Sequence, residues 1–391
     1  MEAMPPDLVE RLERAVNRQR LLDTATALVA VPSRTGEAGA ALDRLAELLA
    51  ADGFAVQRPD GGHPSAPAVA VRLDSGRPGR TLQYNGHLDT VHLPFVPPAV
   101  DGDRLTGSGA SDMKGGTAAA VEALRALRDA GLPQRGAVLL TAHDLHEAPW
   151  GFGQQLDRLI AEGLVGDGVL LPEPLSDRLP TVGRGGAVWK VSVRRPGPPV
   201  HEVMRPPGEP SVIVAGAELV ARLARLGEAL AARSDPQAGC ETVFVGEIHS
   251  GEIYNQYPQE CRLSGTRRWL PGRSRAEVES EFRGLLAGLG RDTGTTVGAE
   301  FIPIRDAFLL NPAGPLAAAF QRACAAVRGA PLPLGPKPFI DDGNSFYALR
   351  NLPAVTHGPE AGGQHTVNEW VSIDDLVRVA RVYARTALLF C

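Results

Sequence analysis

Apolar residues recur at helical spacing from Leu42 to Ala51 and then gather into two short runs, Ala66 to Leu73 and Thr81 to Asn85. Helical periodicity returns over Thr117 to Asp129, and a third short run follows from Ala137 to Ala142. A three-to-four spacing marks one face of a helix, whereas short apolar runs between turn residues mark buried strands. Helices and strands therefore alternate. This predicts an α/β protein with a mixed, mostly parallel sheet sandwiched by helices, and a ligand site at the carboxyl ends of its strands.

The pattern changes from Ala187 onward. A strand (Val188 to Val193), a Pro-rich loop, a long helix (Ser211 to Ala232), two strands (Glu241 to Ile248 and Arg262 to Trp269), a helix (Arg275 to Leu289) and a strand (Thr296 to Ile304) follow in order. That is a βαββαβ, ferredoxin-like succession, which folds as a compact domain of its own. After about Pro312 the first pattern resumes and ends in a helix from Ile373 to Phe390, where Ser372 and Asp375 read as a capping box. The expected organisation is a larger domain made of residues 1–187 and 305–391, interrupted by an inserted domain over 188–304.

With 391 residues, of which 43% are hydrophobic, the chain can bury a sizeable core without cross-links. Its net charge of -5 and the lack of a basic cluster interleaved with aromatics argue against a nucleic-acid partner. Cys240, Cys261, Cys324 and Cys391 are scattered without a CxxC, so reduced and mostly buried thiols are expected. Residues 1–22 are charged and amphipathic without an apolar leader core, and no apolar stretch has membrane-spanning length. A cytoplasmic protein is expected.

His87 and Asp89 close the run that begins at Thr81, and Asp112 follows in Gly109-Ala-Ser-Asp-Met-Lys-Gly-Gly116. Glu173 stands in Leu170-Leu-Pro-Glu-Pro174 and His365 in Gly362-Gly-Gln-His-Thr366. Imidazole combined with carboxylate suits zinc, cobalt or manganese better than the oxygen-seeking calcium and magnesium. Taken singly, a loop His or Asp is more often a solvated turn residue. No GxGxxG, Walker loop or GxSxG elbow offers a competing chemistry.

Taken in order, these segments resemble the zinc metallohydrolases that include aminoacylases, acetylornithine deacetylase, succinyl-diaminopimelate desuccinylase and carboxypeptidase G enzymes. The likeness extends through Pro32-Ser-Arg-Thr-Gly-Glu37, Gly183-Arg-Gly-Gly186, Gly197-Pro-Pro-Val-His201, Asn255-Gln-Tyr-Pro258, Arg268 and Gly358-Pro359. The resemblance implies a two-metal centre in which Asp112 bridges, His87 and Glu173 bind one ion, and His365 binds the other. It makes Asp89 the partner that holds the His87 ring. It implies that the inserted domain serves as lid and homodimer contact, with His201 and Asn255 reaching a substrate carbonyl, Arg268 a substrate carboxylate, and Gly363 the substrate-binding loop.

One segment departs from the family pattern. The family carries Asp-Glu-Glu, a general base followed by a ligand of the second metal, where this chain has His143-Asp-Leu-His-Glu-Ala-Pro-Trp-Gly151. Counted without a gap from Gly153, Glu147 takes the base position and Ala148 cannot bind metal. Shifted by one, Glu147 becomes the ligand and His146 stands at the base position. The sequence leaves both registers open, and His146 or Asp144 could equally replace the lost ligand. His143 is expected to be a turn or hydrogen-bonding residue, Asp341 and Asp342 to anchor a loop, and Trp150 to wall the pocket or pack in the core.

One zinc needs only three protein ligands, so His87, Asp112 and Glu173 could suffice alone. Chemistry favours Glu147 as base, taking a proton from a metal-activated water and passing it to the leaving nitrogen. The expected protein is thus a zinc-dependent hydrolase of C–N bonds, with one or two ions per chain, acting on an N-acyl amino acid, a related small amine or a small peptide. The rival expectation is a non-hydrolytic homologue, either an amino-acid-binding protein or a single-metal biosynthetic enzyme that forms amides.

Overall fold

The computed structural model describes residues 6–391, so the reading of the first five positions lies outside it. Contacts divide the chain into two compact units. The larger holds the residues up to Thr181 together with Leu309–Gly335 and Asp341–Cys391; the smaller holds Val182–Phe308 and Pro336–Ile340. Both junctions lie a few residues from the expected ones. The apolar signal begins at Ala187, whereas the strand begins two glycines earlier, at Gly185. The short Pro336–Ile340 return carries no periodicity that would have revealed it.

The larger unit is built on a six-stranded sheet in the order Val56–Gln57, Val69–Asp74, Ala137–His143, Thr81–His87, Gly168–Leu171, Ala354–Thr356. The last four run parallel to one another, while the first two are antiparallel to their neighbours. Thr81–His87 and Ala137–His143 are buried at every position. Strands covered on both faces lose the alternating pattern and read as continuous runs. Their few polar side chains satisfy one another: Gln83 donates to the Thr141 hydroxyl at 2.8 Å, and Thr141 donates to Asn85 at 2.8 Å. The parallel register sets His87 opposite His143 and so delivers two histidines to the carboxyl end of the sheet.

The helix Gly115–Asp129 is buried along its first thirteen residues, including two charged ones. Burial of charge requires partners, and Glu122 takes Arg20 at 2.8 Å while Arg125 takes Asp52 at 2.6 Å. The last helix, Ile373–Phe390, starts as expected, with Ser372 accepting from the Asp375 amide. Only half of the expected capping box forms. The Asp375 carboxylate is engaged by the Glu360 amide and by Arg378 instead.

The smaller unit has an antiparallel sheet in the order Thr242–Ser250, Glu260–Trp269, Gly185–Arg194, Thr296–Arg305, with helices Val212–Ala231 and Arg275–Thr293. Its chain order is the βαββαβ succession. Alternate residues of Glu260–Trp269 are buried, and Trp189, Trp269 and Phe282 sit at the centre of a core shared with both helices. All four cysteines are free. Among the described residues no helix is long and apolar enough to cross a membrane.

One close approach ties this scaffold to the acidic residues at the sheet edge. Gly116, at the start of its helix, faces the Pro172 carbonyl so closely that a Cβ would lie 2.0 Å from that oxygen. Gly116→Ala must therefore push away the segment that carries Glu173. The expected outcome is a loss of about 1–3 kcal/mol in thermal or denaturant unfolding and reduced metal retention after desalting. Unchanged stability would contradict that packing.

Candidate metal centre

The carboxyl ends of the parallel strands supply most of the polar groups, as expected for a sheet of this kind. His87 ends Thr81–His87, His146 and Glu147 follow Ala137–His143, and Glu173 follows Gly168–Leu171. Asp112 sits in the turn before the helix Gly115–Asp129, and His365 in a Gly-rich loop. His87 Nε2 lies 3.2 Å from Asp112 Oδ1 and 3.9 Å from Glu173 Oε1. His365 Nε2 lies 3.4 Å from Asp112 Oδ2 and 3.2 Å from Glu147 Oε2. Asp112 is thus shared between two groups, one with His87 and Glu173 and one with His365 and Glu147.

The donor set fits a divalent ion. His87 Nε2, Asp112 Oδ1 and Glu173 Oε1 are buried and lack hydrogen-bond partners, although they lie close together. An unsatisfied buried polar atom costs about 1–3 kcal/mol, and three converging on one point call for a cation. Ligand atoms of His87, Asp112 and Glu147 lie within 4.8 Å of one another, as do those of His87, His146 and Glu173.

Electrostatics describe the same point. Burial and the neighbouring Asp112 push the Glu173 carboxyl well above the usual range. Burial alone would lower His87, but the neighbouring Asp112 and Asp89 carboxylates hold it well above its ordinary value. Hydrogen bonds to Asp112 and Glu147, outweighing burial, raise His365 to about 10.

The polar groups around this cluster are arranged differently from expectation. The Asp89 carboxylate stands 3.5 Å from His87 Nδ1, which lies closer, at 3.1 Å, to the Asp89 backbone carbonyl. Asp89 Oδ2 instead accepts the His146 and Glu147 amides, both at 3.0 Å, and so fixes the departing segment. Asp144 takes no part in the cluster. Its two oxygens accept the Gly36 and Ala38 amides at 2.9 and 3.0 Å, which anchors the Pro32–Glu37 motif. Glu369, absent from the sequence reading, accepts the Ser111 and Asp112 amides at 3.2 Å, and burial beside Asp112 raises its carboxyl to about 7.

Asp341 does anchor its loop, capping the helix Asp342–Arg350 and accepting Thr356 at 2.6 Å. Asp342 does more than that. Fully buried, it lies 2.8 Å from His146 Nδ1 through one oxygen and 2.8 Å from His143 Nε2 through the other. The His146 ring stacks on His87 with centroids 3.8 Å apart and planes 7° from parallel. Trp150 is 43% exposed and stacks on His92 at 4.2 Å, so it is not a core residue. His365 has a left-handed backbone (φ 58°), held by the turn from Gly363 to Thr366, and Gly363 has no room for a Cβ beside the Asn368 carbonyl.

In the smaller unit, His201, opposite Gln256 on paired strands, meets Asn255 at 3.0 Å. Arg268 lies over Gly186, and burial together with the charge of Arg184 lowers its pKa.

Comparison with known proteins supplies the family. The model for peptidase family M20/M25/M40 matches residues 84–389. A succinyl-diaminopimelate desuccinylase of Paracidovorax citrulli is 30% identical over 397 residues, covering 94% of this chain and 97% of that one. One from Cereibacter sphaeroides is 29% identical, covering 92% and 95%. Among solved structures, a tripeptidase from Staphylococcus aureus superposes with a TM-score of 0.80 at 20% identity, covering 96% and 99%. A Bacillus subtilis protein described as a dinuclear metal binding peptidase of family M20 gives 0.68 at 15%, covering 95% and 97%. This chain belongs to peptidase family M20/M25/M40 and is a metal-dependent hydrolase of amide or peptide bonds.

A linkage prediction follows from His365. With its pKa raised from 6.5 to about 10, it contributes stability to the metal-free fold that is complete below 6.5 and fades as pH rises through about 10. At pH 7 the ring is protonated, so an incoming metal must displace that proton. Calorimetric titration of metal-free protein with zinc at pH 7 should give heats that vary with buffer ionisation enthalpy, corresponding to at least one proton released. Buffer-independent heats would contradict this.

Proposed function

We propose that this member of the family is a two-zinc deacylase, cleaving the amide bond of an N-acyl amino acid or small peptide, with Glu147 as metal ligand and His146 as general base. The observation that carries the reading is the position of Glu147. Its Oε2 faces His365, which also faces Asp112. Asp112, Glu147 and His365 would then hold one ion, and His87, Asp112 and Glu173 the other. This favours the shifted register over the one in which Glu147 acts as base. The dinuclear description of the Bacillus subtilis relative supports it.

The stacking keeps His146 off the ion that His87 would bind, which leaves it available for proton transfer. An ion sits in the plane of an imidazole ligand, about 2.0–2.1 Å from the nitrogen. Two rings stacked 3.8 Å apart and 7° from parallel cannot both contain the same ion in their planes. His146 Nε2 nevertheless points into the cluster, 3.9 Å from Glu173 Oε1.

The ions would polarise the amide carbonyl and make water a stronger acid. His146 takes the proton from the attacking water as the new C–O bond forms. It returns that proton to the leaving nitrogen as the C–N bond breaks, giving an amine and a carboxylic acid that then ionises. Arg268 would pair with a substrate carboxylate, and His201 with Asn255 would donate to the carbonyl oxygen as charge develops. A succinyl group is the first acyl group to test, because relatives of nearly full length are desuccinylases. A homodimer through the smaller unit and a cytoplasmic setting belong to the same proposal.

Two substitutions separate the roles. His146→Gln should lower kcat by about 10²–10⁴-fold, the usual contribution of a general base, with two zinc ions retained. Glu147→Gln should reduce zinc to one per chain by elemental analysis. Two ions retained in Glu147→Gln, with turnover abolished, would restore Glu147 as the base. No turnover of any N-acyl amino acid or dipeptide by the zinc-loaded wild type would overturn the deacylase reading.

A further inference from the structure

Three buried groups behind His146 form a chain that the reaction as described does not use. His143, Asp342 and Asn85 are all 0–1% exposed. His143 Nδ1 lies 2.9 Å from the Asp144 carbonyl oxygen, and its Nε2 lies 2.8 Å from Asp342 Oδ2. Asn85 donates to the same Oδ2 at 2.9 Å, and Asp342 Oδ1 lies 2.8 Å from His146 Nδ1.

Donor and acceptor rules fix the hydrogens along this chain. A carbonyl oxygen only accepts, so His143 Nδ1 donates to Asp144. A carboxylate accepts, so His143 Nε2 and His146 Nδ1 both donate to Asp342. The neutral His146 ring then has its single proton on Nδ1, and its Nε2 carries a lone pair. That lone pair is on the side of the ring facing Glu173.

We propose that Asp342 is the positioning residue of His146: it fixes the Nδ1–H tautomer and ring angle that leave Nε2 free to take the proton of the attacking water. This rests on the reading of His146 as base. When Nε2 gains that proton the ring becomes cationic, and Asp342 Oδ1 faces the charge from the opposite nitrogen. His143 and Asn85 clamp Oδ2, so the carboxylate cannot rotate away from the ring. The same arrangement of base and buried carboxylate orients histidine in hydrolases of unrelated fold. Where the family has a carboxylate base, which needs no tautomer, this chain has a histidine, which does.

The test uses zinc-loaded protein labelled with ¹⁵N in histidine, with His146 signals assigned by their loss in His146→Gln. Two-bond proton–nitrogen spectra of the wild type should show Nδ1 protonated and Nε2 carrying a free lone pair. In Asp342→Asn the amide cannot satisfy His146, His143 and Asn85 together, so the Nε2–H form should appear. kcat should fall about 10- to 100-fold, the usual effect of losing such a supporting partner. KM and zinc content should stay within about twofold, which a general loss of structure would not spare. A wild-type His146 protonated on Nε2 overturns the proposal without any variant. So does Asp342→Asn with unchanged tautomer and kcat. Nδ1 protonated with Nε2 shifted by bound zinc would overturn the base reading of His146 instead, while retaining Asp342 as the residue that sets the ring.

Discussion

Three carboxylates, Asp112, Glu147 and Glu173, converge at the carboxyl end of the sheet, Glu147 and Glu173 buried and Asp112 partly so, and their mutual repulsion is the constraint on which the rest of the site depends. Like charges this close in a low-dielectric setting cannot all stay ionised unless positive charge stands between them. His87 and His365, both pushed toward the protonated form by these carboxylates, answer that demand. A divalent ion held there would replace those protons and satisfy the atoms left without hydrogen bonds. The acids thus unite binding and folding: what destabilises the empty site is what makes it a strong ligand set.

Around that centre each further buried acid holds backbone or ring. Asp89 gathers the amides of His146 and Glu147, Glu369 those of Ser111 and Asp112, and Asp144 those of Gly36 and Ala38. Carboxylates that accept amides pin loop backbone without adding another ligand to the cluster. Asp342 does the same for an imidazole. The strands need only bring His87 and His143 to one edge; these acids convert that coarse placement into a working geometry.

The large features of the fold were legible because they rest on periodicity: the alternation before Ala142, the βαββαβ order and the final helix from Ile373 each follow from local apolar spacing. His87, Asp112, Glu173 and His365 were legible because each sits in a short motif at a strand end or in a Gly/Pro-rich loop. The register of His146 and Glu147 was not. Counting back from Gly153 assumes an even path, but the chain turns sharply at Leu145, with φ 65°, and the Gly153 amide bonds back to the Leu145 carbonyl. What sets the register is Asp89, 57 residues away in sequence. Asp342 was read as a loop anchor for the same reason, since its partner His146 lies 196 residues distant and leaves no local trace. Glu369 had only its position four residues after His365 to mark it.

The assignment of Glu147 carries the two-metal proposal, and anomalous diffraction at the zinc edge from crystals grown with zinc tests it most directly. Two peaks are predicted, one among His87, Asp112 and Glu173 and one among Asp112, Glu147 and His365, with the His146 ring outside ligand distance of both. A single peak, with Glu147 free of metal and directed at the water beside it, would contradict the two-metal centre and return the base to Glu147.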